Sequence, residues 1–250
     1  MAVTGIFDRG LMLFDQVFDK PKWRGADEFP SSDEWKREID KWLQYIQRKG
    51  QLARYKPRLN DSKTRRDEAL AEISSAYFLE EKLGHEVLRW EEKTVGDRDV
   101  DFVAKVSSWE VFCEVKSPGW EGELDPQERL GGRKALPKYI NAEARFIGPW
   151  QSIRHAIAKS YPKFLDNQKN LVIMRDDLFV GPLDARGNLE IALLEEHGIY
   201  GEEKGYFADK RFERVGGFLA LDVRLVVTKG FEYRHQFVPN RFASVPFVLS

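Results

Sequence analysis

Hydrophobic and polar positions along this chain fall into blocks whose period shifts from helical to strand-like and back. In SSDEWKREIDKWLQYIQRKG, Trp35, Ile39, Trp42, Leu43 and Ile46 recur at helical spacing, between a capping-box pattern of Ser31 and Glu34 and a terminal Gly50. The spacing predicts an amphipathic helix. The following QLARYKPRLNDSK sets Arg54, Lys56 and Arg58 around Tyr55. That stretch reads as a solvated linker, although basic residues interleaved with an aromatic also suit contact with phosphates and a base. A second helix is expected from about Ser62 to Leu83, opened by a Thr64/Asp67 box and ended by Gly84, with Ile73, Ala76, Tyr77 and Leu83 on its buried stripe.

The period then drops to two. HEVLRWEEK, DRDVDFVAKV and WEVFCEVKS read as strands, and their short connections permit antiparallel pairing. From Pro118 to about Pro149 the pattern becomes irregular and rich in Gly and Pro, as in long functional loops. A helix from about Trp150 to Leu165 follows, with Ile153, Ile157, Tyr161 and Phe164 on its apolar side and Pro162 as a point where it kinks or stops. NLVIMRD reads as a buried strand. After it come a polar helical stretch, GNLEIALLEEHG, a Gly-rich segment, and strands in GGFLALDVRLVV and EYRHQFVPN. The pattern divides the chain into an N-terminal helical extension, residues 1–60, and an α/β domain, residues 61–250, with a mixed sheet flanked by helices. The extension lacks a motif carboxylate and is expected to stand outside any metal site.

Composition narrows the function classes. With 42% hydrophobic and 32% charged residues and a net charge of −1, the chain is globular, and binding to a polyanion must rest on local charge. The single cysteine, Cys113, excludes an internal disulfide framework, and no Cys/His spacing matches a zinc site. Cys113 reads as a buried structural thiol. The N-terminus has no signal-peptide pattern, and no stretch approaches the roughly 20 apolar residues of a membrane span, so cytoplasmic residence is expected. Phosphate-loop, dinucleotide-binding and α/β-hydrolase motifs are missing from the sequence.

Candidate chemistry lies on the second and third strands. Alternation puts Glu114 and Lys116 on one face and Val111, Cys113 and Val115 on the other. A solvated face and an active site both explain those charges. Hard divalent cations take oxygen ligands, often one or two carboxylates completed by water and phosphate. Asp101 and Glu114, on neighbouring strands, would meet that need together with the Val115 carbonyl. Lys116, one pleat further, could hold a water and stabilise charge developing on a phosphate. By alternation alone Asp99 competes with Asp101, and Glu68, one turn before Glu72, competes with Glu72.

These residues and their order resemble the PD-(D/E)xK nuclease superfamily. Val100-Asp101 stands where that family has its PD, Glu114-Val115-Lys116 where it has (D/E)xK, and AEISSAYFLEEKLGHEV resembles the first core helix, with Glu72 as its glutamate. The resemblance covers roughly Ser62 to Arg175, plus the final strands, and departs in Val100, which replaces the nominal proline. It favours Asp101 over Asp99. It implies a restriction-endonuclease-like core and a Mg²⁺- or Mn²⁺-dependent nuclease that hydrolyses phosphodiester bonds, with DNA favoured over RNA. Asp101, Glu114 and Val115 would bind metal, Lys116 would position the attacking water, and Glu72 would support the metal or its water shell. His155, Lys159 and Lys163 recur at i, i+4 and i+8 as a basic row able to track a nucleic-acid backbone, Lys163 standing where relatives carry glutamine; a solvated face explains the row nearly as well. Trp120 either stacks on a base or anchors its loop. Cutting both strands of a duplex needs two sites, which would imply a homodimer. The rival readings are a non-catalytic nucleic-acid-binding or assembly module on the same fold, and a structural protein whose strand charges face water.

Overall fold

The computed structural model describes residues 12–18, 33–61, 63–95, 98–117, 149–175, 185–197, 204–226 and 230–249. After a short helix α1 (Leu13–Val17), helix α2 (Asp33–Arg48) opens with Asp33 and Glu34, whose charges favour the positive end of the helix. Its proposed cap, Ser31, lies outside the described residues. Ile39, Trp42, Leu43 and Ile46 are buried, as their spacing predicts. Gly50 follows with φ of +71°, a left-handed conformation that a β-carbon would strain.

The segment expected to be a linker is instead helix α3 (Leu52–Leu59). Tyr55 and Leu59, one turn apart, are both fully buried. Two such anchors outweigh the polar residues around them, which made the segment look solvated. Helix α4 (Lys63–Tyr77) runs into a single wider turn (Phe78–Lys82) and stops at Gly84, φ +75°.

Six strands lie side by side in chain order: β1 (Val87–Lys93), β2 (Asp99–Val106), β3 (Trp109–Lys116), β4 (Lys169–Arg175), β5 (Gly217–Val226) and β6 (Gly230–Pro239). β1, β2 and β3 pair antiparallel, β3, β4 and β5 parallel, and β5 and β6 antiparallel, so the sheet is mixed. Parallel neighbours require a crossover. Helices α5 (Pro149–Ser160) and α6 (Ala185–Leu189) lie within those two connections.

Alternation distributes the strands' side chains between two cores. Val111, Cys113 and Val115 join Leu171 and Ile173 on the face covered by α1 to α4, while Phe112 joins Val172 and Met174 under Ile153, Ile157 and Leu193. The fold is therefore a mixed α/β sandwich with helices on both faces and a helical N-terminal region. The first core contains Ile39, Trp42, Tyr55 and Leu59 as well as Phe102 and Ile173, so it runs without a break across the boundary expected near residue 60. Helix α5 ends at Ser160 and not at Leu165, giving way to one tight turn (Tyr161–Lys163), because Pro162 lacks the N–H and its ring would meet the Ala158 carbonyl. Among the described residues no helix is long and apolar enough to cross a membrane.

Candidate functional site

β2 and β3 pair from Val106 with Trp109 up to Phe102 with Cys113. Beyond that point a side chain continues the ladder: Asp101 Oδ2 accepts the Val115 N–H at 2.6 Å. β3 meanwhile stays paired with β4 through Lys116 opposite Met174. The two strands thus fork with Asp101 in the gap, beside Glu114.

Glu114 is only 1% exposed. Its Oε1 accepts two ammonium groups, Lys116 Nζ at 2.5 Å and Lys163 Nζ at 2.6 Å. Its Oε2 is buried and, among the described residues, has no hydrogen-bond partner. A buried carboxylate oxygen without a donor is costly. Lys163 reaches this carboxylate because α5 stops short: the turn after Ser160 swings it off the helix and into the cleft. Glu72, on α4, is held from the other side. Arg58 grips it with both arms, Nη1 to Oε2 at 2.7 Å and Nη2 to Oε1 at 2.5 Å, and the Tyr55 hydroxyl donates to Oε2 at 3.0 Å.

Glu72, Asp101, Glu114, Lys116 and Lys163 line a cleft of about 300 Å³, with Arg58 and Tyr55 behind Glu72 and outside the lining. Glu68 and Glu72 form its α4 wall, Asp101, Glu114, Val115 and Lys116 its floor, and His155, Lys159 and Lys163 the opposite wall, with Ser152 and Met174 completing it. All the site residues expected from the sequence therefore meet in one place. His155 and Lys159 are exposed on α5. Asp99 does not line the cleft; it pairs with Lys93 across β1 and β2, which leaves Asp101 as the carboxylate next to Glu114. Glu68 and Glu72 both reach the cleft, so that pair is not separated by position. Trp120 lies outside the described residues. By sequence alone Tyr55 and Arg58 fall in a linker, apart from the site. Their basic and aromatic character was visible, but the target carboxylate, on the next helix, was not.

The electrostatics follow from this packing. Burial, then the charges of Glu114 and Glu72, push Asp101 well above the usual carboxylate range, against the opposing pull of the Val115 N–H and the Lys163 ammonium. Burial acts to lower Lys116, but the charge and hydrogen bond of Glu114, with Asp101 and Glu68, outweigh it and leave the ammonium raised. Lys116 is thus a firm cation and a poor base. Cys113, fully buried on the far face of β3, has its thiol pushed up by burial first and by Asp101 second, as befits a structural cysteine.

Among the described residues no group of three or more His, Cys, Asp or Glu side chains is arranged to hold a metal ion. What the fork brings together is smaller: the carboxylates of Asp101 and Glu114, with the Val115 backbone beside them. It suits a hard divalent cation that completes its shell with water and phosphate, and the unpartnered Glu114 Oε2 is the oxygen such an ion would satisfy.

No family model matches the chain, and no curated protein does. Among solved structures, that of Pyrococcus furiosus SfsA in complex with Ca²⁺ is similar over 68% of this chain and 62% of that one, at 15% identity and a TM-score of 0.30.

Proposed function

We propose that the fork between β2 and β3 is the active site of a divalent-metal-dependent nuclease that hydrolyses phosphodiester bonds, with DNA the favoured polymer. The observation that carries this reading is Glu114: buried, bonded to two ammonium groups through one oxygen and unsatisfied at the other. Asp101, Glu114 and the Val115 carbonyl would hold Mg²⁺ or Mn²⁺. The cation, when bound, supplies Lewis acidity toward a phosphate oxygen and toward water.

The chain's own groups do the rest. Lys116, protonated and anchored by Glu114, orients the attacking water and faces the charge that builds on the phosphate. Lys163 brings a second positive charge to the same oxygen from the opposite wall. His155 and Lys159, exposed along α5, follow the backbone of the bound strand. The acidic α4 wall repels phosphate, so the backbone runs along α5. Cytoplasmic residence, and a dimer wherever both strands of a duplex are cut, belong to the same proposal.

A second reading, a nucleic-acid-binding module without turnover, draws on the balance of charge within the site, where Lys116 and Lys163 already compensate Glu114. One experiment separates the two. Plasmid, single-stranded DNA and RNA are incubated with the protein in Mg²⁺, Mn²⁺ or Ca²⁺. Cleavage that disappears in Asp101→Asn and Glu114→Gln supports the nuclease; binding without cleavage in every metal supports the module.

A further inference from the structure

Glu72 sits in the cleft, yet its charge is already spoken for. Three donors converge on its two oxygens, and two of them are the parallel arms of one guanidinium, the strongest geometry available to a carboxylate. The side chain is only 9% exposed, so this pairing works with little screening by water. The grip is itself braced. Tyr55 is fully buried, its ring packs edge-on against Trp90 at 5.7 Å, and the Arg58 guanidinium lies over that ring at 5.5 Å. Among the described residues, Asp101 and Glu114 have as partners one backbone N–H and two lysines, and no guanidinium.

We infer that Arg58 and Tyr55 are positioning residues that hold Glu72 outside the inner coordination sphere of the cation, and so set the site's preference for Mg²⁺ over Ca²⁺. The inference rests on the proposed metal site. Mg²⁺ is satisfied by one or two carboxylates and keeps several waters, whereas Ca²⁺ takes six to eight oxygens and gains with each added carboxylate. With Glu72 sequestered, the fork offers two carboxylates and a carbonyl. Free Glu72 from Arg58 and a third carboxylate becomes available in the same cleft, buried and bonded only to the Tyr55 hydroxyl. The N-terminal region thereby acts on the site through a single residue of α4.

The test is calorimetric titration of the full chain with Mg²⁺ and with Ca²⁺, with folding checked by circular dichroism. Arg58→Met is expected to tighten Ca²⁺ by about tenfold while moving Mg²⁺ much less. The gain should vanish in Arg58→Met/Glu72→Gln, and Glu72→Gln alone, which removes a nearby charge but no ligand, should weaken both ions modestly and leave their ratio unchanged. Tyr55→Phe, which removes one hydrogen bond and keeps the buried ring, should shift Ca²⁺ the same way by a smaller factor; it carries the test if Arg58→Met does not fold. Equal changes for the two ions in Arg58→Met and Tyr55→Phe, or no change there, overturn the inference. So does a Glu72→Gln variant that loses metal as Glu114→Gln does, because Glu72 would then be a direct ligand. A parent protein that binds neither ion fails earlier, at the metal-site reading itself, and takes this inference with it.

Discussion

Asp101 is held in the fork by a backbone N–H while burial and two neighbouring carboxylates penalise its charge. Its raised protonation range means that the folded chain holds this proton more tightly than the unfolded chain does. The stability it contributes is fully present below the ordinary carboxylate value of 3.8 and is lost as pH rises through the raised one. Asp101→Asn keeps an oxygen for the Val115 N–H and removes the charge. The variant should therefore melt a few degrees higher than the parent at pH 7, the shift that about 1 kcal/mol gives in a chain of this size, and the gap should close toward pH 4 in a series of melting curves. Lys116 makes the opposite kind of prediction. Its ammonium repels a cation, so Lys116→Met should bind Mn²⁺ as tightly as the parent or tighter by calorimetry, while single-turnover cleavage falls by on the order of 10²-fold or more. Both residues were legible from the alternation of β2 and β3, but Asp99 was not separable from Asp101 by alternation, because a period of two gives both the same face. What separates them is where β2 leaves β3, and the end of a ladder has no periodic signature.

At the level of elements, the long pieces were readable and the short ones were not. α2 buries one face at regular spacing. α4, by contrast, is buried at every position from Ala69 to Tyr77, and the strands range from β4, buried along almost its whole length, to β6, buried only at Val238. Length and apolar content therefore declare these elements more than spacing does. α3 buries only Tyr55 and Leu59 among its eight residues, so its helical stripe exists only against α4. The end of α5 was marked by Pro162, yet the consequence, Lys163 turned inward onto Glu114, depends on the direction of one turn. This divides the basic row into two kinds of lysine. Lys159 is exposed and should behave as a phosphate contact: Lys159→Ala is expected to lower the slope of log affinity against log salt by about one for duplex DNA, read by fluorescence anisotropy. An unchanged slope would make α5 a solvated face.

At the scale of the molecule, the helices before residue 60 and the sheet share one core, tied together by polar contacts as well. Trp42 Nε1 donates to the Tyr233 hydroxyl on β6 at 2.7 Å, and Tyr233 donates to the buried Glu38. A chain lacking residues 1–60 would expose the partners of Trp42, Tyr45 and Tyr55 together, and is expected to lose its cooperative melting transition by circular dichroism. A single sharp transition near that of the parent would show the extension to be separable. The shared core was hidden in the sequence because apolar spacing shows which face of a helix is buried and says nothing of what buries it. Cys113 turns that core into a clock. It is the chain's only cysteine, sits at the centre of β3 next to Glu114 and is wholly enclosed, so an aromatic disulfide reagent can reach it only when the sheet parts. Labelling in native buffer should be slow, should slow further when Mn²⁺ saturates the fork, and should ignore Mn²⁺ in Asp101→Asn. One thiol thus reports, without substrate, dye or tag, how often β3 comes undone and what keeps it shut.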